Sequence, residues 1–173
     1  GADYNTAFGD NALDNFGDDG ASSHSSLNTA IGYLAMGGGD SSTVANNIGR
    51  RGVAVGYRAY GGASTAAITG DTNVCVGYDA GTLLTTGGSN LFIGAYAGDA
   101  STTVQKCVFV GTSAGGAVTV TGSSNEFDGT VAVGYNALTA LTTGGLAESG
   151  NLAIGYQALS QHTTGARNTA IGF

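Results

Sequence analysis

The apolar positions of this chain recur in a short phrase. Its last stretch, "GNLAIGYQALSQHTTGARNTAIGF" (150–173), contains Asn-Leu-Ala-Ile-Gly and, seventeen residues later, Asn-Thr-Ala-Ile-Gly. Aligned on the closing glycine, the phrase occurs nine times, ending at Gly9, Gly32, Gly56, Gly77, Gly94, Gly111, Gly134, Gly155 and Gly172. Each copy is a run of β-branched, aliphatic or aromatic residues bounded by glycine, which predicts a strand, and no 3.6-residue period supports a helix. The second position is Thr, Val or Leu and the fourth is Ile, Val or Phe. These two share one face of a strand, and that face is expected to be the core. The third position points the other way. It is Ala in six copies and Cys75, Phe92 and Phe109 in the middle three, a pattern that predicts close contact with another sheet or another chain.

Spacings between the glycines are 23, 24, 21, 17, 17, 23, 21 and 17 residues, so a minimal unit of seventeen is lengthened in places, as loops lengthen between conserved supports. Residues 1–173 therefore read as one repeat array. Stacking the phrases gives an all-β fold, a parallel β-solenoid or β-roll of about nine coils, each strand bonded to its counterpart about 4.8 Å away. The first position is Asn in six copies, and these are expected to form a ladder at a corner, each amide bonding to the copies above and below. An aromatic follows the glycine in six copies, and an alanine lies two residues further on in each of eight: Ala12, Ala35, Ala59, Ala80, Ala97, Ala114, Ala137 and Ala158. That invariance implies room for one methyl. One coil has too little interior to fold alone, so stability is expected from neighbouring coils.

Composition narrows the function classes. Gly is 32 of 173 residues and Pro is absent, while 42% of residues are apolar and 10% charged, which fits an ordered array rather than a Pro-rich or highly charged disordered chain. A net charge of −7 with only five Lys and Arg argues against nucleic acid, whose binding draws on cationic contacts to phosphate. No run of eighteen apolar residues is present, so membrane insertion is not expected.

The phrases "NTAIGYLAM", "VAVGYNAL" and "NLAIGYQALSQHTTGARNTAIG" resemble the repeats of bacteriophage tail-fibre proteins and, more loosely, the head repeats of trimeric autotransporter adhesins. That resemblance implies a homotrimeric fibre segment, extracellular, on a virion tail fibre or a bacterial cell surface, with a host cell-surface glycan or protein as partner. The chain begins "GADYNTAFG", already at the first phrase, and stops just after the ninth glycine, which leads us to expect a fragment of a longer polypeptide.

Candidate chemistry is sparse. "GTSAG" (Gly111–Gly115) matches the Gly-x-Ser-x-Gly nucleophile elbow, but the preceding copies read "GYDAG" and "GAYAG" in the same slot, so Ser113 occupies an ordinary repeat column and no catalytic residue is assigned. His24 and His162 lack partners at metal spacing and are expected to be solvated loop residues. "DNFGDDG" (Asp14–Gly20) offers oxygen ligands for calcium without EF-hand spacing; the favoured expectation is a plain acidic loop and no cofactor. Cys75 and Cys107 lie two coils apart, about 9.6 Å at the strand spacing, beyond the roughly 7 Å a disulfide spans, so both are expected as buried thiols. If the segment binds on its flanks, the longest insertions (10–27, 37–50 and 115–129) should be used, with Arg50, Arg51 and Tyr60 offering donors and an aromatic face. The leading expectation is a non-enzymatic structural or adhesive fibre segment that presents or spaces a cell-surface-binding region. The alternatives are an ice-binding β-solenoid and a polysaccharide-degrading tail spike.

Overall fold

A computed structural model describes residues 4–14, 26–37, 49–61, 67–118, 128–142 and 150–173. Each phrase forms one three-residue strand: β1 Thr6–Phe8, β2 Thr29–Ile31, β3 Val53–Val55, β4 Val74–Val76, β5 Leu91–Ile93, β6 Val108–Val110, β7 Val131–Val133, β8 Leu152–Ile154 and β9 Thr169–Ile171. They pair in sequence order as one nine-stranded parallel sheet, which makes the fold a β-solenoid. Register never slips: the central residues align as Ala30↔Ala54, Cys75↔Phe92, Phe92↔Phe109 and Ala132↔Ala153. A phrase repeated at fixed positions leaves no other register in which like residues meet.

The expected orientation of the strands is reversed. The third position is inside: Ala30, Ala54, Cys75, Phe92, Phe109, Ala132 and Ala153 are fully buried, whereas positions two and four are half-buried to exposed. Neither face of any strand carries a charge, and most positions on both are apolar, so alternation alone does not orient them, and the larger residues pointed to the wrong side. The lumen of a seventeen-residue coil admits one inward residue per strand, and its size is set by the opposite wall.

That wall is the fourth residue after the glycine. Where the third position is Ala, this residue is large: Leu13, Met36, Tyr60, Leu138 and Leu159 stand six residues after Ala7, Ala30, Ala54, Ala132 and Ala153, and Met36, Tyr60 and Leu138 are fully buried. Where the third position is large, it is glycine. A Cβ at Gly81 would lie 2.8 Å from Cys75 Sγ, one at Gly98 2.7 Å from the Phe92 ring, and one at Gly115 2.6 Å from the Phe109 ring. Core volume thus crosses from one wall to the other between the third and fourth strands and returns between the sixth and seventh. Phe92 and Phe109 stack at 4.9 Å, 5° from parallel, at the centre.

The corners are left-handed. The second and fourth residues after the phrase glycine have positive φ throughout, including Leu34 (53°), Arg58 (48°), Tyr60 (50°) and Leu138 (55°). Each stands at the third position of a four-residue turn, the φ sign of a type II turn, with bonds such as Ala35 N–H to Gly32 O and Gly37 N–H to Leu34 O. Left-handed backbone costs a residue with a Cβ roughly 1–2 kcal/mol. Bonds between coils hold it there, as when Arg58 N–H donates to Tyr33 O and Tyr60 N–H to Ala80 O. The phrase glycine answers a different need. A Cβ at Gly94 would come 2.5 Å from Gly111 O in the next coil, so no other residue fits that column.

The asparagine ladder is present. Asn90 donates from its backbone N–H and from Nδ2 to Asn73 Oδ1, both at 3.0 Å, and its own Oδ1 accepts from Cys107 N–H at 3.0 Å. Its Nδ2 also reaches Val104 O at 2.7 Å, across the corner of its own coil. Asn151 and Asn168 repeat the arrangement. These amides pair the buried polar groups of their own corners, where an unpaired one would be costly; Thr130, which takes the same position in the seventh phrase, leaves its buried Oγ1 without a partner.

Candidate functional site

The three residues proposed for flank binding separate. Arg50 and Arg51 are on the surface and converge on Asp71: Arg50 N–H donates to Asp71 Oδ1 at 2.9 Å, Arg50 Nη2 lies 3.1 Å from Asp71 Oδ2, and Arg51 Nη2 lies 3.8 Å from it. Tyr60 is inside. It is fully buried, its hydroxyl donates to Gly70 O at 2.6 Å and accepts from Asn73 Nδ2 at 2.8 Å, and burial raises its pKa. It fills the lumen opposite Ala54 and presents no aromatic face beside the arginines. The signal that would have placed it was in the sequence: the fourth residue after the glycine is large only where the third strand position is Ala.

The remaining candidates sit in the scaffold. Ser113 has the left-handed φ of its column, 54°, and its N–H donates to Ala95 O. His162 is not a fully solvated loop residue, because it is half-buried with Nε2 3.1 Å from Asn168 Nδ2. Cys75 and Cys107 are both buried thiols. Burial raises both pKa values, that of Cys107 to about 12, which leaves little thiolate for nucleophilic or metal chemistry. Asp14 is exposed, while the rest of the acidic stretch, His24 and most of the long insertions lie outside the described residues. Among the described residues no group of three His, Cys, Asp or Glu is arranged to hold a metal, and no helix is long and apolar enough to cross a membrane.

Two surfaces run the length of the solenoid instead. The outer face of the sheet carries the second and fourth positions of all nine strands, every one of them Thr, Val, Leu, Ile or Phe. It contains no charge. Ile31, Ile93 and Ile154 on it are more than a third exposed. At about 4.8 Å per strand and 3.3 Å per residue the face measures about 40 by 10 Å, roughly 400 Å² in projection.

Beside this face stands a row of exposed aromatics. Tyr33, Tyr57 and Tyr78 stack at 5.4 and 5.0 Å, and Tyr96 meets Tyr78 edge-on at 5.3 Å. After a break at Ala95 and Thr112, Tyr135, Tyr156 and Phe173 stack at 5.1 and 5.3 Å. The sequence showed the aromatic column, but its stacking depends on the register of the coils. All length variation falls elsewhere. In the sequence, the four to seven extra residues of the longer repeats fall between the second turn and the first position of the next phrase. No family model, curated protein or solved structure matches this chain.

Proposed function

We propose that the chain is a non-enzymatic structural segment of an extracellular fibre, of the tail-fibre or surface-adhesin kind, that assembles as a homotrimer through the outer sheet face and uses its variable insertions for binding. One observation carries this reading. The strands and their first turns never change length and present an uninterrupted uncharged face, while every change of repeat length falls, in the sequence, between the second turn and the next phrase. An apolar patch of a few hundred Å², about the size of the largest on an ordinary monomer, is often functional. A surface that must meet identical copies along its whole length tolerates no insertion, whereas a displayed loop does. The insertions are then the place for a host glycan or protein to bind, with the Arg50, Arg51 and Asp71 cluster at the end of one of them.

Native mass measurement tests the assembly. The chain should be trimeric, and Val76→Asp should give a folded monomer, because that side chain already lies on the outer side of the sheet and needs no place in the lumen. A wild-type monomer, or an unchanged trimer in Val76→Asp, would refute the interface. A second reading is favoured by one detail: Thr69 and Thr86 are exposed on successive coils in matching register, as the bonds Thr69 N–H to Thr85 O and Thr86 N–H to Thr102 O show. Regular threonine rows suit ice binding. Inhibition of ice recrystallisation by the chain would favour that function over the fibre.

A further inference from the structure

The tyrosine row has a chemistry of its own. Of the eight tyrosines, Tyr60 is buried and the other seven are exposed. The chain's single Met, Met36, is fully buried, both cysteines are buried and Trp is absent. Among the described residues the easily oxidised side chains within reach of solvent are therefore concentrated in this row. Tyr57 and Tyr78 form its closest pair, 41% and 47% exposed, with centroids 5.0 Å apart and rings 7° from parallel. The backbone holds them in register on both sides: Gly77 N–H donates to Val55 O at 2.8 Å and Asp79 N–H to Tyr57 O at 2.9 Å.

We propose that Tyr57 and Tyr78 are a site of oxidative cross-linking, joined as dityrosine into a covalent staple between adjacent coils by hydrogen peroxide and a peroxidase-type one-electron oxidant. The activated oxidant removes one electron from each phenol, and each hydroxyl proton passes to water. The two phenoxyl radicals pair to form a carbon–carbon bond between ring positions ortho to the oxygens. Each ring then loses its ortho hydrogen as a proton and regains its hydroxyl, so the pair has lost two hydrogens. The peroxide takes up the two electrons and two protons and leaves as two waters. Two radicals on one surface meet far more often than radicals on separate molecules, because the fold has already removed the freedom an encounter would cost. The staple closes a loop of twenty-odd residues and narrows the unfolded ensemble as a disulfide does. Tyr33 with Tyr57 and Tyr135 with Tyr156 are lesser sites of the same kind. Tyr156 with Phe173, stacked at 5.3 Å and 2°, is an internal control, since Phe has no hydroxyl to oxidise.

The proposal depends on the folded coil and not on trimer assembly. The test treats the whole chain with peroxidase and dilute peroxide, and reads dityrosine fluorescence, linked peptides and melting temperature. The expected product joins the Tyr57 and Tyr78 peptides with loss of two hydrogens, in a yield independent of protein concentration, and the treated chain melts several degrees higher. Tyr78→Phe, which keeps the ring stack, should remove that product and most of the rise while leaving the Tyr135 to Tyr156 link. Links formed only between chains, an equal yield of the same link from urea-unfolded chain, or an unchanged melting temperature despite linkage would overturn the proposal.

Discussion

Moving core volume from one wall of a coil to the other should rescue the coil that lost it. Phe109 is fully buried, stacked on Phe92 at 4.9 Å and packed over Gly115, where a Cβ would sit 2.6 Å from its ring. Phe109→Ala removes the ring and is expected to cost about 3–5 kcal/mol, of which roughly 0.5–1.5 kcal/mol is the lost stack. Gly115→Leu alone overpacks the lumen and sets a branched side chain at φ 60°, for about 1–3 kcal/mol of crowding and about 1–2 kcal/mol of left-handed backbone. Together they convert this coil to the arrangement next to it, where Ala132 faces Leu138 at φ 55°. The crowding then disappears and the cavity is largely filled, so the double variant should be more stable than Phe109→Ala and the two changes should couple favourably by at least about 2 kcal/mol. Urea unfolding followed by far-ultraviolet circular dichroism, at one fixed protein concentration, measures the cycle. Phe109→Ala should lower the melting temperature by about 10 °C, at a few degrees per kcal/mol for a chain of this length, and the double variant should regain about half. Additive losses would refute the idea that the third strand position and its glycine form one volume.

Two further outcomes follow from the corners. Asn90→Ala removes an acceptor for Cys107 N–H and the donor to Val104 O and Asn73 Oδ1; leaving buried partners unpaired costs about 1–3 kcal/mol each, so a loss of about 3 kcal/mol or more is expected in the same unfolding assay, against well under 1 kcal/mol for a solvent-facing control such as Thr86→Ala. Desolvation raises the Asp99 pKa against the opposing pull of its own and the Ala100 backbone N–H, so the folded state holds its proton more tightly than the unfolded chain. By linkage that contribution is present at acid pH and is lost as pH rises through the folded value. Melting temperatures compared between pH 3 and pH 7 should therefore show Asp99→Asn gaining on the wild type as pH rises, by a small amount since the carboxyl is only half-buried, and a constant difference would contradict the shift.

The repeat itself determined the strands, their parallel order, their register, the asparagine ladder and the distance that keeps Cys75 and Cys107 apart, because like residues at a fixed period meet only when the coils stack in step. The invariant glycine was equally legible, although the reason for it, a carbonyl 2.5 Å from the missing Cβ, belongs to the stack. What only the tertiary structure decided was which face looked inward. Val, Ile and Leu at positions two and four satisfy every local rule for a core, and a small third position satisfies the rule for a close contact. The narrow lumen reverses both, because its capacity is shared between two walls of each coil. The same capacity draws Tyr60 inside while its neighbours Arg50 and Arg51 stay on the surface. It also places Leu, Arg and Tyr in left-handed turns that their own propensities disfavour, since the hydrogen bonds between coils outweigh a local cost that no single repeat could overcome alone.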